Sequence, residues 1–235
     1  MKLIMEKKRK YTSSQFRFER KFFITQLSSL DIEYIIKVNP AIFSEIFNKR
    51  NVNNIYFDTL NLDNYLENIE GEKNRKKIRI RWYGDLFGYI KYPVLELKVR
   101  NGQLGKKLSY PLKSFSLNHD EDFTKLLNKE CLENPLVDLK SLKPTLLNRY
   151  SRKYFLSSDK KFRITLDDKQ LFYGLYGQNF LKNKSLDRDS VILELKYGEE
   201  EDNNSSKITN SFPFRLTKSS KYVSGIQKTS KTFHS

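Results

Sequence analysis

The chain has 235 residues, and its 44 Lys and Arg outnumber 28 Asp and Glu, which gives a formal net charge of +16. This balance predicts an anionic partner: nucleic acid, a membrane surface, or a phosphate-rich small molecule or polymer. The single Cys131 excludes an internal disulfide and a cysteine-based zinc site, and no run of about 18 apolar residues exists to form a transmembrane helix.

The two ends of the chain are expected to lie outside the folded domain. "MKLIMEKKRKYTSS" (residues 1–14) turns basic after a few apolar residues, so it lacks the apolar core of a secretory signal and is expected to be a disordered lead-in. No internal repeat and no Gly/Ser-rich or Pro-rich linker divides the remainder. Residues 15–227 are therefore predicted to form one domain, with residues 228–235 as a frayed tail.

Three segments do not have the pattern of strands. "SSLDIEYIIKVNPAIFSEIF" (28–47) begins with a cap-like Ser-Leu-Asp and carries apolar residues at helical spacing, which predicts one or two short helices. "HDEDFTKLLNKECLENPLVDL" (119–139) predicts a helical region broken at Pro135. "GEEEDNNSSKITNS" (198–211) is polar and predicts a mobile loop, whose acidic run is interpreted as a solvated connection rather than a metal site.

The rest of the chain predicts strands in which apolar and charged residues alternate. In "RIRWYG", Arg79 and Arg81 would lie on one face of a strand, and Ile80 and Trp82 on the other. The same alternation is found in "FRFERKFF" (16–23), "NIYFDT" (54–59), "VLELKVR" (94–100), "FRITLDD" (162–168) and "VILELKYG" (191–198). A solvated sheet face also alternates, but it usually includes neutral polar residues, whereas these faces are almost wholly ionisable and mostly basic.

One geometry satisfies all of these strands. We predict an α+β fold in which the antiparallel strands curl into a β-barrel tunnel, with the apolar face outward under flanking helices and a charged lumen inside. Like charges crowded in such a lumen repel each other, and a bound polyanion would relieve the repulsion. Tyr56 and Asp58 are expected to have a structural role at the end of this barrel.

The strand motifs resemble those of a known family. "ERKFFI", "YFDT", "RIRWYG", "LELK", "NRYSRKYF", "FRITLD", "LELKYG" and "KSSKYVSGI" occur in the order found in vacuolar transporter chaperone (VTC) catalytic domains. These domains are polyphosphate polymerases of the triphosphate tunnel metalloenzyme superfamily, and the resemblance covers about residues 15–227. It implies a tunnel of eight or so antiparallel strands, lined with Lys and Arg, in which ATP places its triphosphate. It also implies that the terminal phosphoryl group passes to a growing polyphosphate chain with Mn²⁺ or Mg²⁺ bound.

The resemblance also implies roles for individual residues. The phosphate ligands would be Lys21, Arg79, Arg81, Lys98, Lys106, Tyr150, Arg152, Arg163, Lys196, Lys218, Ser220 and Lys221. Glu194 would hold the metal, and supporting carboxylates would be Glu19, Glu96 and Asp167. Arginine forks bind phosphate in a bidentate manner, lysines act as point charges, and a carboxylate suits a hard divalent cation. The register around Lys106 stays open by one residue, because Lys107 follows it.

One departure from the superfamily bears on the reaction. Its hydrolytic members begin with Glu-x-Glu-x-Lys, whereas Arg17 occupies the first of these positions here, which argues against a two-metal hydrolase. The alternatives are a triphosphate or nucleotide phosphohydrolase and a non-catalytic polyphosphate-binding module. Nucleic acid is indicated by net charge alone, and no nucleic-acid motif is visible. A cytoplasmic enzyme is expected, and any coupling to translocation would need a membrane-protein partner.

Overall fold

The computed structural model describes residues 12–13, 17–101, 104–118, 141–175 and 183–230. The predicted helical region at 119–139 lies outside the described residues. So does most of the predicted lead-in, of which Thr12–Ser13 is described as a short strand. Within the described ranges, no helix is both long and apolar enough to cross a membrane.

Twelve strands and four helices are assigned in the described part of the chain. The strands are β1 Thr12–Ser13, β2 Phe18–Ile24, β3 Ser44–Asp58, β4 Asn74–Tyr83, β5 Gly88–Ile90, β6 Val94–Asn101, β7 Leu104–Pro111, β8 Phe115–Leu117, β9 Lys143–Leu156, β10 Arg163–Gly174, β11 Lys184–Asp187 and β12 Val191–Tyr197. The helices are α1 Ser29–Lys37, α2 Asp63–Glu70, α3 Asp202–Thr209 and α4 Lys221–Thr229, and a 3₁₀ turn spans Glu199–Glu201.

One large antiparallel sheet dominates the fold. Its strand order is β1-β7-β6-β4-β3-β9-β10-β12-β2, with β11 added on β10, while β5 and β8 form a separate pair. This confirms an α+β fold with a large antiparallel sheet. Among the described residues no ladder joins β2 to the opposite edge, yet Lys98 Nζ of β6 lies 2.7 Å from Glu19 Oε2 of β2. Because five strands lie between β6 and β2, the sheet must curl strongly to bring these side chains together.

The two faces of the sheet have opposite character. Residues directly opposite each other in an antiparallel ladder share a face, and Arg79 lies opposite Glu96 while Lys21 lies opposite Glu194. The other face is apolar. Its core contains the buried Ile80 and Leu95. The charged face is therefore the concave one, as the alternation predicted.

Helix α1 covers part of the apolar face. Ser28 and Asp31 form a capping box at its start, and Ile32 and Ile36 pack on the sheet. The helix ends before Pro40. Of the one or two short helices predicted in 28–47, the structure has this one. The end of the segment is not helical, because the chain enters strand β3 at Ser44.

The polar segment 198–211 is also ordered, so its prediction as a mobile loop is wrong. It contains the 3₁₀ turn and helix α3. Ile208 of this helix is buried with Phe212 and Phe22 in the same core cluster. The acidic run is solvated only in part: Glu199 and Glu200 are exposed, whereas Glu201 is buried and its Oε1 lies 2.6 Å from Lys161 Nζ.

Helix α4 packs across one end of the concave face. Tyr222 and Ile226 are buried against Leu146 and Phe172, and the helix continues to Thr229, two residues past the predicted domain boundary. Tyr222 OH donates to Asp58 Oδ2 at 2.5 Å. The same carboxylate accepts backbone N–H groups at the start of α2, so Asp58 has the structural role expected for it and ties α4 to α2.

Candidate functional site

The concave side of the sheet carries far more cations than carboxylates, and we call it the basic face. The strand registers place on it Lys21, Arg75, Lys77, Arg79, Arg81, Lys98, Arg100, Lys107, Arg152, Arg163 and Lys196, together with the carboxylates Glu19, Glu96, Asp167 and Glu194. Lys221 at the start of α4 also reaches it, since it pairs with Asp167.

Glu96 holds three cations in place. Its Oε2 accepts from Arg79 Nε at 2.7 Å and lies 3.5 Å from Arg81 Nη1, while its Oε1 accepts from Lys107 Nζ at 3.1 Å. Burial alone would raise the pKa of Glu96, but the charges of Arg79 and Arg81 outweigh it and hold that pKa well below its usual range. The carboxylate is saturated by cations, so it orients the arginine forks rather than offering itself to a ligand.

Asp167 plays the same part on the opposite side of the basic face. Arg152 grips it in a bidentate fork, with Nε to Oδ1 at 2.5 Å and Nη2 to Oδ2 at 2.7 Å. Lys221 Nζ donates to Oδ2 at 2.5 Å. Burial acts to raise the pKa of Asp167, but Arg152 and Lys221 lower it to about 2. This ion triad fixes the first residue of α4 to the sheet.

Neutral polar groups complete the positioning of the two arginines of "RIRWYG". Arg81 Nε donates to Asn54 Oδ1 at 2.9 Å, and its Nη2 donates to Tyr150 OH at 3.2 Å. Arg79 Nη1 donates to Tyr56 OH at 3.3 Å. Each guanidinium is thus held by two or more partners on neighbouring strands, which preorganises it for an anion. The apolar side of β4 behaves as predicted, with Trp82 buried.

Glu194 differs from the other two buried carboxylates. Lys196 Nζ lies 3.3 Å from its Oε1, but no hydrogen bond to the carboxylate is present among the described residues. Burial acts to raise the pKa of Glu194, and Lys196, Lys21 and Arg152 together hold it well below the usual range. The group is therefore an anion with unused acceptor capacity.

The surroundings of Glu194 fit a divalent cation. Directly opposite it on β10 lies Thr165, whose buried Oγ1 has no hydrogen-bond partner in the described residues. An anionic carboxylate beside an unpartnered hydroxyl is a hard oxygen donor set, and Mg²⁺ typically uses one or two carboxylates with substrate phosphates and water. No group of three His, Cys, Asp or Glu side chains suited to a metal is found in the described ranges, so phosphate oxygens would have to complete the coordination.

The N-terminus of α4 adds polar groups to the basic face. Ser220 caps the helix, and its Oγ accepts from Lys77 Nζ at 2.9 Å. Lys21 Nζ donates to the Ser219 carbonyl at 3.2 Å. A helix N-terminus carries a partial positive charge and favours anions. The helix start therefore adds to the positive potential of the neighbouring lysines.

The structure brings most of the predicted site residues together. Lys21, Arg79, Arg81, Lys98, Tyr150, Arg152, Lys196, Ser220 and Lys221 share the basic face or its boundary. Arg163 lies opposite Lys196 but is exposed at the start of β10. Lys218 is exposed, with no hydrogen bond or ion pair to the described residues. Lys106 lies opposite Val99 in the ladder, and its side chain is outside the described part. The ligand roles of all these residues stay predictions.

Sequence reasoning missed Arg75, Lys77 and Arg100 of the basic face, and also Arg50, which lies opposite Arg152. Arg75 and Lys77 precede Arg79 at two-residue spacing on β4, so extending the strand alternation backward would have found them. Lys107 lies opposite Lys98 and therefore on the basic face. Of the two neighbouring lysines, Lys106 and Lys107, it is the one whose side chain the structure describes there. Arg100 follows Lys98 at the same two-residue spacing on β6, so the same extension of the alternation places it on this face.

Comparisons with known proteins agree with this geometry. Residues 16–230 match the family model described as the VTC domain. A comparison with curated protein sequences gave no match.

Solved structures are similar to this chain at low sequence identity. One is a protein from Pyrococcus horikoshii OT3, with a TM-score of 0.50 and 13% identity, covering 90% of this chain and 99% of that one. A candidate adenylate cyclase from Vibrio parahaemolyticus gives a TM-score of 0.48 at 12% identity, covering 88% of this chain and 95% of that one. A candidate adenylyl cyclase from Hippeastrum, described as having a dominant triphosphatase activity, gives 0.47 at 14% identity over 89% and 93%.

Proposed function

The chain belongs to the VTC domain family, and on that premise we propose that it is a metal-dependent polyphosphate polymerase, which transfers the terminal phosphoryl group of ATP to a growing inorganic polyphosphate chain. The observation that carries this proposal is the basic face itself. Arg79, Arg81 and Arg152 are largely shielded from solvent and held by Glu96 and Asp167. The cations of the face far outnumber its carboxylates, which suits a substrate that brings many negative charges.

The proposal requires the curled sheet to act as a tunnel. The contact between Lys98 of β6 and Glu19 of β2 supports this, because it spans the concavity from one side to the other. Helix α4 lies across one end, where Tyr222 and Ile226 pack on the sheet. We therefore propose a closed barrel of about eight strands in which the triphosphate lies along the basic face.

The residues on this face suit phosphoryl transfer. The reaction needs in-line positioning and neutralisation of charge on the equatorial oxygens far more than covalent assistance. Arg79, Arg81 and Arg152 would clamp phosphate oxygens with forks already oriented by Glu96 and Asp167. Lys21, Lys98 and Lys196 would add point charges. No general base is obligatory, because the acceptor is itself an anionic phosphate.

A divalent cation, Mn²⁺ or Mg²⁺, would be held by Glu194 and by phosphate oxygens. When bound, it would neutralise charge that develops on the bridging and terminal oxygens. Thr165 Oγ1 lies on the neighbouring strand with no partner in the described residues, so it can orient a coordinated water or a phosphate oxygen. Lys196 would then pair with phosphate as well as with Glu194.

A product gel tests the proposal. Purified protein is incubated with ATP and Mn²⁺, and the products are resolved beside those of Glu194→Gln and Arg79→Ala/Arg81→Ala. We expect a polyphosphate ladder from the wild type, reduced by at least about a hundredfold in both variants, since each removes groups that stabilise transition-state charge. Lys76→Ala is the matched control, because Lys76 is exposed and lies three residues before Arg79, on the opposite side of β4.

Two results would contradict the polymerase. Orthophosphate without a ladder would indicate a phosphohydrolase, in which water replaces the phosphate acceptor. Polyphosphate binding without any turnover would indicate a binding module that keeps its basic face.

A further inference from the structure

The cations of the basic face divide into two groups according to what lies opposite them. On β4 and β6, Arg79 lies opposite a carboxylate, Glu96. Two residues further along the same ladder, Lys77 lies opposite Lys98, and two beyond that, Arg75 lies opposite Arg100. Like charges directly opposite each other on a sheet are destabilising. This end of the ladder is therefore unfavourable for the protein alone.

The protein does little to neutralise these charges. Among the described residues, none of the ion pairs within 4.0 Å includes Arg75, Lys77 or Arg100. The hydrogen bond that Lys77 Nζ makes goes to Ser220 Oγ, a neutral group. Burial, reinforced by Lys21 and Lys98, holds the pKa of Lys77 well below its usual range. Three cations thus share one end of the basic face without a carboxylate beside them.

The row of cations is also longer than a triphosphate requires. Arg75 and Arg81 are six residues apart on one strand, which corresponds to roughly 20 Å at about 3.3 Å per residue. A triphosphate has three phosphorus atoms in sequence, and the clamp around Arg79, Arg81 and Arg152 is sufficient to hold them. The three cations without a carboxylate partner begin at Lys77, two residues from Arg79 on β4, and so lie just beyond that clamp. It continues the basic face toward the β4–β6 end, beside the start of α4.

We propose that Arg75, Lys77 and Arg100 form a chain-binding subsite, which holds phosphate units of a polyphosphate beyond the three at the clamp. The inference rests on the proposed function for the identity of the polymer. It adds the path of the chain, which runs along β4 and β6 past Ser220. A linear polyanion bound there removes the like-charge repulsion between Arg75 and Arg100, so the subsite favours long chains over short ones.

Binding measurements with two probes test the subsite without turnover. Affinities for tripolyphosphate and for long-chain inorganic polyphosphate are measured by calorimetry in the absence of ATP, for wild type and for Arg75→Ala/Arg100→Ala. We expect the long chain to bind about tenfold or more weakly in the variant, because charge-assisted contacts are lost, while tripolyphosphate changes less than about twofold. Lys76→Ala/Lys91→Ala removes the same charge from exposed positions and should leave both affinities near wild type.

The subsite would be overturned if the variant bound both probes equally more weakly, or if it bound neither more weakly than the wild type does. The thermal midpoint of the variant without ligand is a second readout, and it should rise, since a repulsive pair has been removed; a fall would contradict the premise. The outcome is separable from that of the proposed polymerase. If the wild type makes no polyphosphate ladder but Arg75→Ala/Arg100→Ala still weakens long-chain binding selectively, the subsite stands and the polymerase does not. If the wild type makes a ladder but the variant binds long chains normally, only the subsite is refuted.

Discussion

At the scale of single residues, the buried carboxylates of the basic face differ in how far they are used. Glu96 and Asp167 each contact two or more cations at 2.5 to 3.5 Å, so they position the arginines. Within the ranges that the structure describes, Glu194 has one ion-pair contact, with Lys196 at 3.3 Å. The residue type alone cannot separate these roles. The family resemblance predicts Glu194 as the metal ligand and Glu96 and Asp167 as supporting carboxylates. The contacts of the three carboxylates agree with this division, and the metal role of Glu194 stays a prediction.

The ion triad of Asp167 predicts a pH-dependent contribution to stability. Because its pKa falls to about 2 in the folded protein, against about 3.9 for an ordinary Asp, ionised Asp167 stabilises the fold above about pH 4, and this is lost as the pH falls through about 2. From this difference in pKa, the linkage between protonation and folding gives ionised Asp167 a contribution of about 2.5 kcal/mol to the free energy of unfolding. Asp167→Asn should therefore lower the free energy of unfolding at pH 7 by about 3 kcal/mol, since Arg152 and Lys221 lose their partner.

Urea unfolding from about pH 7 to about pH 3 measures this effect. The difference between wild type and Asp167→Asn should be constant down to about pH 4 and should shrink below it. Asp189→Asn, at an exposed position, is the matched control and should follow wild type throughout. A difference that stayed constant to pH 3 would show that Asp167 is not ionised by its partners as the geometry indicates.

At the scale of elements, the strands were more predictable than the helices. Two-residue alternation is a local property, so "RIRWYG" and "LELKYG" indicated both the strand and the face of each charge. Helix α3 has few apolar residues, and it is ordered because Ile208 packs with Phe212 against the sheet. In the second half of 28–47, the spacing of the apolar residues fits a helix and a strand equally well. The end of this segment forms a strand because it pairs with β9.

Helix α4 shows how tightly one element must pack to place its N-terminal residues on the basic face. A Cβ added at Gly225 would lie 2.4 Å from Leu146 Cδ2 and 2.7 Å from Phe172 Cδ1, and both of those side chains are fully buried. Gly225→Ala should therefore lower the free energy of unfolding by about 1 to 3 kcal/mol. This cost outweighs the gain of about 1 kcal/mol that Ala brings to a helix interior.

A double-mutant cycle with Leu146→Ala identifies the cause. Leu146→Ala removes the nearer of the two clashing groups, so Gly225→Ala should cost less, or nothing, in that background, although Leu146→Ala itself costs about 2 to 5 kcal/mol. Chemical denaturation of the four proteins gives the coupling free energy. Strict additivity would show that the clash with Leu146 is not what limits residue 225 to glycine.

At the scale of the whole molecule, the curl of the sheet decides which charges meet. Lys98 and Glu19 are 79 positions apart in the chain, and no local pattern indicates that they pair. The sequence could therefore predict a basic face, but not which of its cations are neutralised. That division depends on the register of β4 with β6 and of β10 with β9. It separates Arg79 and Arg152, which have carboxylate partners, from Lys77, which has none among the described residues.

The net charge of +16 makes the stability of the whole protein dependent on salt and on polyanions. Without ligand, the thermal midpoint should rise as NaCl increases from about 10 to about 300 mM, because screening weakens the repulsion among excess cations. Tripolyphosphate should raise the midpoint further, by an amount that corresponds to about 2.7 kcal/mol at one hundred times its Kd. That increment should shrink as NaCl rises, since the same screening weakens binding.

Arg79→Ala/Arg81→Ala should keep the effect of NaCl on the thermal midpoint and lose most of the tripolyphosphate increment. A wild-type midpoint that fell with NaCl would mean that the ion pairs of Glu96 and Asp167 outweigh the repulsion among the other cations.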